Sequence, residues 1–211
     1  MTMTYPPAAP VWCAGCGHFG VQGALEAGLD RLEIPAHETA VIAGIGCSGS
    51  IQNNMGRYGF HTLHGRVLPT ATGLALTAPH LTVIAAGGDG DGYAIGGGHL
   101  VHTFRRNPSM VYIIMNNGVY GLTKGQNSPT AGVGNDPAAL DGIRLGLAVG
   151  AGFLARGYTS DADQLVDLVV EALRYAREGR GFAFLEIMSP CVTYWDTYPE
   201  WSGKVHDLDQ E

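Results

Sequence analysis

Short apolar runs recur along the chain, and each stops at a glycine, an asparagine or a Ser-Pro turn. They are Thr39 to Ile45, Leu81 to Ala86, Met110 to Met115 and Phe182 to Met188. The runs are continuous rather than alternating, which predicts strands buried on both faces of a parallel sheet. Helix-length patterns lie between them: Phe19 to Leu32 before Pro35, Tyr93 to Arg106 stopped by Asn107-Pro108, Pro137 to Gly150, and Asp161 to Glu178. A shorter apolar helical run covers Thr72 to Thr77, and Ser160 with Asp163 resembles a capping box. Strands alternating with helices predict an α/β fold with a doubly wound, mostly parallel sheet. Residues 1–11 form a proline-rich arm, expected to pack on a neighbour or to be disordered. Residues 48–80 are largely polar and turn-rich. Gly118 to Asn135 is a long loop with five glycines, and such loops are usually functional or mobile.

Composition sharpens this picture. The 211 residues suffice for one sizeable core, so residues 1–211 are read as a single domain with an N-terminal CxxC arm over 1–17. Only 15% of residues are charged, against about 25% in typical soluble domains, and 32 are glycine. A chain so poor in charge is expected to bury surface against other subunits. The net charge of −7 and the presence of only two lysines, Lys124 and Lys204, argue against nucleic-acid binding. No apolar run reaches the ~18 residues of a membrane span. The first ten residues hold no Lys or Arg, and prolines interrupt them, so no signal peptide is expected and the cytoplasm is the predicted compartment.

The candidate chemistry gathers where the apolar runs end. Cys47, Asp89, Asn116 and Cys191 each lie just past a predicted strand, and open parallel sheets bind ligands outside those carboxyl ends. Residues 87–92 read Gly-Gly-Asp-Gly-Asp-Gly, and Asn117 follows 28 positions after Asp89. This edge suits a diphosphate held by Mg²⁺, which takes about six oxygen ligands. Asp89 offers a carboxylate, Asn117 an amide oxygen and Val119 a backbone carbonyl. Amides at Gly90–Gly92, opening a helix, would face the phosphates. A plain glycine turn with a solvated aspartate is the bland alternative, and the paired GDG and NN at this spacing argue against it.

The chain has four cysteines, Cys13, Cys16, Cys47 and Cys191. Four thiolates are the number required by a [4Fe–4S] cluster or by a Cys₄ zinc site. A single CxxC disfavours a zinc ribbon. A redox dithiol at Cys13-x-x-Cys16, or four unrelated buried thiols, are the other readings.

Beyond the GDG–NN motif, which resembles that of thiamine diphosphate enzymes, further segments narrow the likeness. Trp12-Cys13-Ala14-Gly15-Cys16-Gly17-His18, Gly44-Ile45-Gly46-Cys47-Ser48, Leu63-His64-Gly65-Arg66, Gly121-Leu122-Thr123-Lys124-Gly125-Gln126 and Ser189-Pro190-Cys191 together resemble the β subunit of 2-oxoacid:ferredoxin oxidoreductases. The run Thr123 to Thr130 looks most like the 2-oxoglutarate type. The resemblance implies a thiamine diphosphate-binding fold with thiamine diphosphate, Mg²⁺ and a [4Fe–4S] cluster as cofactors. It places Gly46, Cys47, Ser48, His64, Gly88, Asp89, Gly90, Asp91, Asn117, Val119, Gly121 and Leu122 at the cofactor, and makes all four cysteines ligands of one cluster. It places His64-Gly65-Arg66 near the cofactor or the substrate carboxylate, and Lys124, in an otherwise uncharged glycine loop, could pair with a diphosphate or substrate carboxylate as a point charge, so His64 and Lys124 are the candidate catalytic residues. His61 and His64 otherwise read as core histidines, and Lys124 as a solvated loop residue. The implied reaction is oxidative decarboxylation of a 2-oxoacid to acyl-CoA, with ferredoxin as electron acceptor. The family's activating glutamate has no candidate among Glu26, Glu33, Glu38, Glu171, Glu178 and Glu186, so an α subunit is expected to supply it. Relatives are expected to continue several dozen residues past Glu211. A cluster-free thiamine diphosphate decarboxylase subunit, and a non-catalytic iron–sulfur or zinc-binding protein, are the rival readings.

Overall fold

A computed structural model of the chain describes residues 6–132, 136 and 138–206. The order of elements is α1 (His18–Arg31), β1 (Thr39–Ala43), α2 (Ile51–Asn54), β2 (Tyr58–His61), α3 (Val67–Thr77), β3 (Thr82–Gly88), α4 (Gly97–Arg106), β4 (Met110–Asn116), β5 (Val119–Tyr120), β6 (Gln126–Asn127), α5 (Gly142–Ala148), β7 (Phe153–Tyr158), α6 (Ala162–Arg177), β8 (Phe182–Met188) and α7 (Tyr198–Trp201). Six strands form one sheet in the order β2-β1-β3-β4-β8-β7, and every pairing is parallel. The four apolar runs are the four central strands, as a sheet covered on both faces requires.

The strands split their side chains between two layers. Val41, Ala43, Ile84, Ala86, Val111, Ile113, Leu185 and Ile187 pack under α1 and α6. Ala40, Ile42, Val83, Ala85, Tyr112, Ile114, Phe182 and Phe184 pack on the opposite face against α3 and α4. Successive residues thus face opposite layers, and both layers are apolar.

The structure departs from the sequence reading in several places. The continuous helix expected over Tyr93 to Arg106 is a π-helical turn, Gly90–Ile95, followed by α4. The edge strands β2 and β7 were not anticipated, nor was the small antiparallel β5–β6 hairpin inside the long loop. The cap of α6 is Asp161 rather than Ser160, and its carboxylate accepts from Gln164 N–H at 3.2 Å. Helix α5 begins at Gly142, and the expected start at Pro137 lies outside the described residues. The described part of the arm lies on its own chain, where Ala8 N–H donates to Asn53 O at 2.8 Å. No helix among the described residues is long and apolar enough to cross a membrane.

In this strand order the chain winds from β1 out to β2, then returns to build outward from β3. The switch point falls between β1 and β3, which in doubly wound sheets opens the ligand crevice beyond the carboxyl ends. Asp89 follows the last residue of β3 and Asn116 ends β4, so both stand at this edge.

Candidate functional site

A cleft opens at that edge. Gly46, Cys47, Ser48, His64, Gly88, Asp89, Gly90, Asp91, Asn117, Val119, Gly121 and Leu122 all line it, together with His18, Ile45, Met115, Tyr120 and Thr123. Every residue expected at the cofactor therefore meets in one space. Lys124 does not line it; it stands exposed at the tip of the β5–β6 hairpin with φ +75°. His64 is partly exposed rather than a core residue, with Nδ1 3.4 Å from Asp91 Oδ1, and His61 is exposed on β2.

Asp89 is 1% exposed, and its two oxygens have different surroundings. Oδ2 accepts from the Ser128 hydroxyl and lies 2.6 Å from Thr130 Oγ1. Oδ1 lies a long 3.4 Å from the Asn117 N–H. Burial pushes the carboxyl pKa up, and these three donors pull against it. Asn117 Oδ1 accepts from Val119 N–H at 3.0 Å and keeps a second lone pair. A buried carboxylate with one oxygen saturated and the other weakly contacted, beside an amide oxygen in the same cleft, fits a hard divalent cation. Ser128 and Thr130 escaped the sequence reading. They follow the glycine loop as ordinary turn residues, and only the fold brings them to Asp89.

Asp91 plays a different part. Its Oδ1 accepts from Ile45 N–H at 3.0 Å and from Gly65 N–H at 2.9 Å. The carboxylate pins the end of β1 and the His64 loop to the start of the π-turn, which shapes the cleft wall. Its Oδ2 is buried without a hydrogen-bond partner.

The cysteines converge beside the cleft. The Cys13–Cys16 turn is closed by Cys16 N–H donating to Cys13 O at 3.0 Å, and Gly17 N–H donates to Pro190 O at 3.0 Å. That approach needs glycine, since a Cβ on Gly17 would stand 2.7 Å from the Ser189 carbonyl carbon. Trp12 Nε1 donates to Cys47 O at 2.7 Å, tying the arm to the third cysteine. A Cβ on Gly121 would lie 3.5 Å from Cys47 Sγ and 3.7 Å from Cys191 Sγ, so the cleft wall also borders the thiols. Burial, offset in part by the His18 N–H and reinforced by Cys191, Cys47 and Cys13, pushes the Cys16 thiol up to about 11. Burial, then Cys191 and Cys13, raise Cys47 as well. Among the described residues no three His, Cys, Asp or Glu side chains are grouped tightly enough to hold a metal ion.

His18, the residue after this turn, is a further member of the site. It is 1% exposed, lies 2.7 Å through Nδ1 from Ser189 Oγ, and lines the cleft. Burial lowers its pKa to about 4, so it is neutral.

The chain matches the family described as thiamine pyrophosphate enzyme, C-terminal TPP binding domain, over residues 44–187. It is 42% identical to the β subunit of a Sulfolobus 2-oxoacid:ferredoxin oxidoreductase, over 94% of the chain and 68% of the relative. It is 39% identical to the 2-oxoglutarate oxidoreductase subunit KorB of Mycobacterium tuberculosis, over 88% of the chain and 51% of the relative. The solved 2-oxoglutarate:ferredoxin oxidoreductase from Magnetococcus marinus, with 2-oxoglutarate, coenzyme A and succinyl-CoA bound, superimposes with a TM-score of 0.83 at 38% identity. That match covers 90% of this chain and 67% of the solved one. With its parallel sheet, its cleft at the switch point and these relatives, the chain belongs to the thiamine pyrophosphate-binding enzymes and, within them, to the β subunits of 2-oxoacid:ferredoxin oxidoreductases.

Proposed function

We propose that this chain is the cofactor-binding subunit of a cytoplasmic complex that oxidatively decarboxylates a 2-oxoacid, 2-oxoglutarate in particular, to acyl-CoA and CO₂ while reducing ferredoxin. The observation that carries the reading is the shared wall: Cys47 and Gly121 line the cleft of Asp89 and Asn117 and also border the cysteine group. On this reading a cofactor site and an electron-accepting site would adjoin.

Thiamine diphosphate, when bound, supplies the electron sink for decarboxylation, and a [4Fe–4S] cluster supplies a one-electron acceptor. The chain's own residues hold and orient these groups. Asp89 Oδ1, Asn117 Oδ1 and the Val119 carbonyl would hold Mg²⁺, and the amides of Gly90 to Gly92 would receive the diphosphate. Cys13, Cys16, Cys47 and Cys191 would hold the cluster. His64, carried by a loop that Asp91 fixes, would contact cofactor or substrate. Lys124 would offer its ammonium to a carboxylate or phosphate from the hairpin tip.

Among the described residues no glutamate lines the cleft. Glu186 is buried but bonded to Tyr93, Asn116 and Arg156. An acid to assist the cofactor would thus come from an α subunit, in keeping with the β-subunit names of the relatives. The 2-oxoglutarate preference is drawn from the KorB relatives and the solved neighbour's ligands.

The test is co-expression with the α subunit and anaerobic purification. The expected complex is brown and reduces ferredoxin only with both a 2-oxoacid and coenzyme A, with 2-oxoglutarate preferred over pyruvate. A colourless complex inactive with every 2-oxoacid would refute the reading.

A further inference from the structure

Glu186 is the one charged residue in the run Phe-Ala-Phe-Leu-Glu-Ile-Met of β8, and it is fully buried. In the sheet register it lies opposite Ile114 on β4 and Arg156 on β7. All its partners donate. Tyr93 Oη donates to Oε1 at 2.6 Å, Asn116 Nδ2 to Oε1 at 3.1 Å, and Arg156 Nε to Oε2 at 2.7 Å. Arg156 also pairs with Asp141 at 2.8 Å. Buried ion pairs are weak sources of stability, and apolar replacements are often neutral or better. Stability alone therefore does not account for a carboxylate here.

What Glu186 does locally is orient one amide. Asn116 has an acceptor, Glu186 Oε1, on one side and a donor, Gly118 N–H, on the other, the latter 3.1 Å from its Oδ1. Only one of the two amide orientations satisfies both. In that orientation Asn116 Oδ1 also lies 2.8 Å from Thr130 Oγ1, which in turn lies 2.6 Å from Asp89 Oδ2. Glu186, Asn116, Thr130 and Asp89 thus stand in consecutive polar contact, with the single Thr130 hydroxyl proton given either to Asn116 Oδ1 or to Asp89 Oδ2. The same amide fixes the Gly118 backbone between Asn117 and Val119.

We propose that Glu186 is a positioning residue for the divalent cation of the cofactor site. Through Asn116 and Thr130 it holds Asp89 with Oδ2 occupied and Oδ1 directed to the metal, and it sets the turn that carries Asn117 and Val119. The inference rests on the cation and thiamine diphosphate reading of the cleft.

The test is Mn²⁺ binding to the cofactor-depleted complex in the presence of thiamine diphosphate, followed by the paramagnetic resonance signal of free Mn²⁺. Glu186→Gln and Thr130→Val should each weaken Mn²⁺ binding about tenfold, as losses of groups that orient metal ligands typically do. Thr130→Ser, which keeps the hydroxyl, should bind within about twofold of wild type. A purely structural role for Glu186 would make its loss add to that of Thr130→Val. A shared chain makes the double variant no more than about threefold weaker than either single one. Asn116→Ser keeps the Glu186–Arg156 pair and carries the same test if Glu186→Gln does not fold. A folded Glu186→Gln, or in its place Asn116→Ser, that binds Mn²⁺ as wild type does overturns the proposal, as does full additivity. If wild type binds Mn²⁺ and the variants match it, this inference alone falls. If wild type binds none, the cofactor reading falls with it.

Discussion

Replacing Asp89 by Asn should separate the metal role of this residue from its place in the fold. The side chain is buried, and burial raises its pKa despite the donors around it. A carboxyl raised in the folded state stabilises most below its ordinary pKa, and that stability is lost as pH rises through the raised value. At neutral pH the ionised group therefore works against the cofactor-free fold. An Asn amide has the same shape, and its Oδ1 can accept from Ser128 and Thr130 where Asp89 Oδ2 does now. Its NH₂ would then face Asn117 N–H across the present 3.4 Å contact, and the cost of that donor–donor pair is set against the larger gain from removing a buried charge. The cofactor-free variant should melt no lower than wild type. Thiamine diphosphate with Mg²⁺ at a hundred times its Kd should stabilise wild type by about 2.7 kcal/mol, roughly 5–10 °C for a chain of this size. The same additions should leave Asp89→Asn unmoved. Scanning calorimetry with and without cofactor, Mg²⁺ and a chelator reads both effects. An Asn variant that keeps the cofactor shift would refute the metal assignment. A cofactor-free melting point lower by more than about 5 °C would refute the electrostatic argument.

Other outcomes follow from the cysteine side. Cys191→Ala should lose iron as completely as Cys13→Ala after anaerobic reconstitution, and a full iron complement in the Cys191 variant would remove it from the ligand set. Gly17→Ala places a Cβ within 2.8 Å of the Ser189 and Pro190 backbone, where no flexible atom can yield. It should cost about 1–3 kcal/mol in urea unfolding and lower iron content, and wild-type values for both would show that the two segments need not touch. His18 is buried and neutral, with its pKa lowered from an ordinary 6.5 to about 4. As pH falls through that window the unfolded chain takes up a proton that the folded chain refuses, so stability drops by up to roughly 3 kcal/mol. Urea midpoints at pH 7 and 4 should show this loss in wild type and less of it in His18→Gln, and equal losses in both would count against it.

The central strands were legible because each is an unbroken apolar run closed by a residue that cannot extend it. Once four such runs are parallel, Cys47, Asp89, Asn116 and Cys191 must share an edge, so the cleft could be read before the fold. The edge strands could not. Tyr58–His61 is exposed throughout, and Phe153–Tyr158 carries Arg156 and Gly157 in mid-strand, so neither shows a buried-strand pattern. The π-turn was hidden because Gly90, Gly92 and Gly96 bear no side chains from which a period could be read. The support behind Asp89 was hidden for another reason. Ser128 and Thr130 lie 39 and 41 positions from it, and Glu186 lies 70 from Asn116. Contacts at such separations leave no periodic trace in a single sequence.

The site is not equally complete on its two sides. Inward, toward the sheet, Asp89, Asn116 and Asn117 are each held by named hydrogen bonds to buried partners, and such fixed groups bind a cation without reorganising. Outward, Leu122, Lys124 and Gln126 are exposed on the β5–β6 hairpin, which stands over the cleft. Lys124 there keeps a left-handed backbone, which costs a non-glycine residue of order 1 kcal/mol and persists only where its surroundings impose it. Its Lys124 N–H donates to Gly121 O at 3.1 Å, and Gly125 N–H donates to Tyr120 O at 3.0 Å, so the tip is shaped by its own backbone. Among the described residues no glutamate lines the cleft, and a hairpin that presents Leu122 and Lys124 to solvent beside it fits the proposal that this site is half of a shared one. On the proposed reading this chain would build the metal-binding half, and the acid–base half would be left to the α subunit.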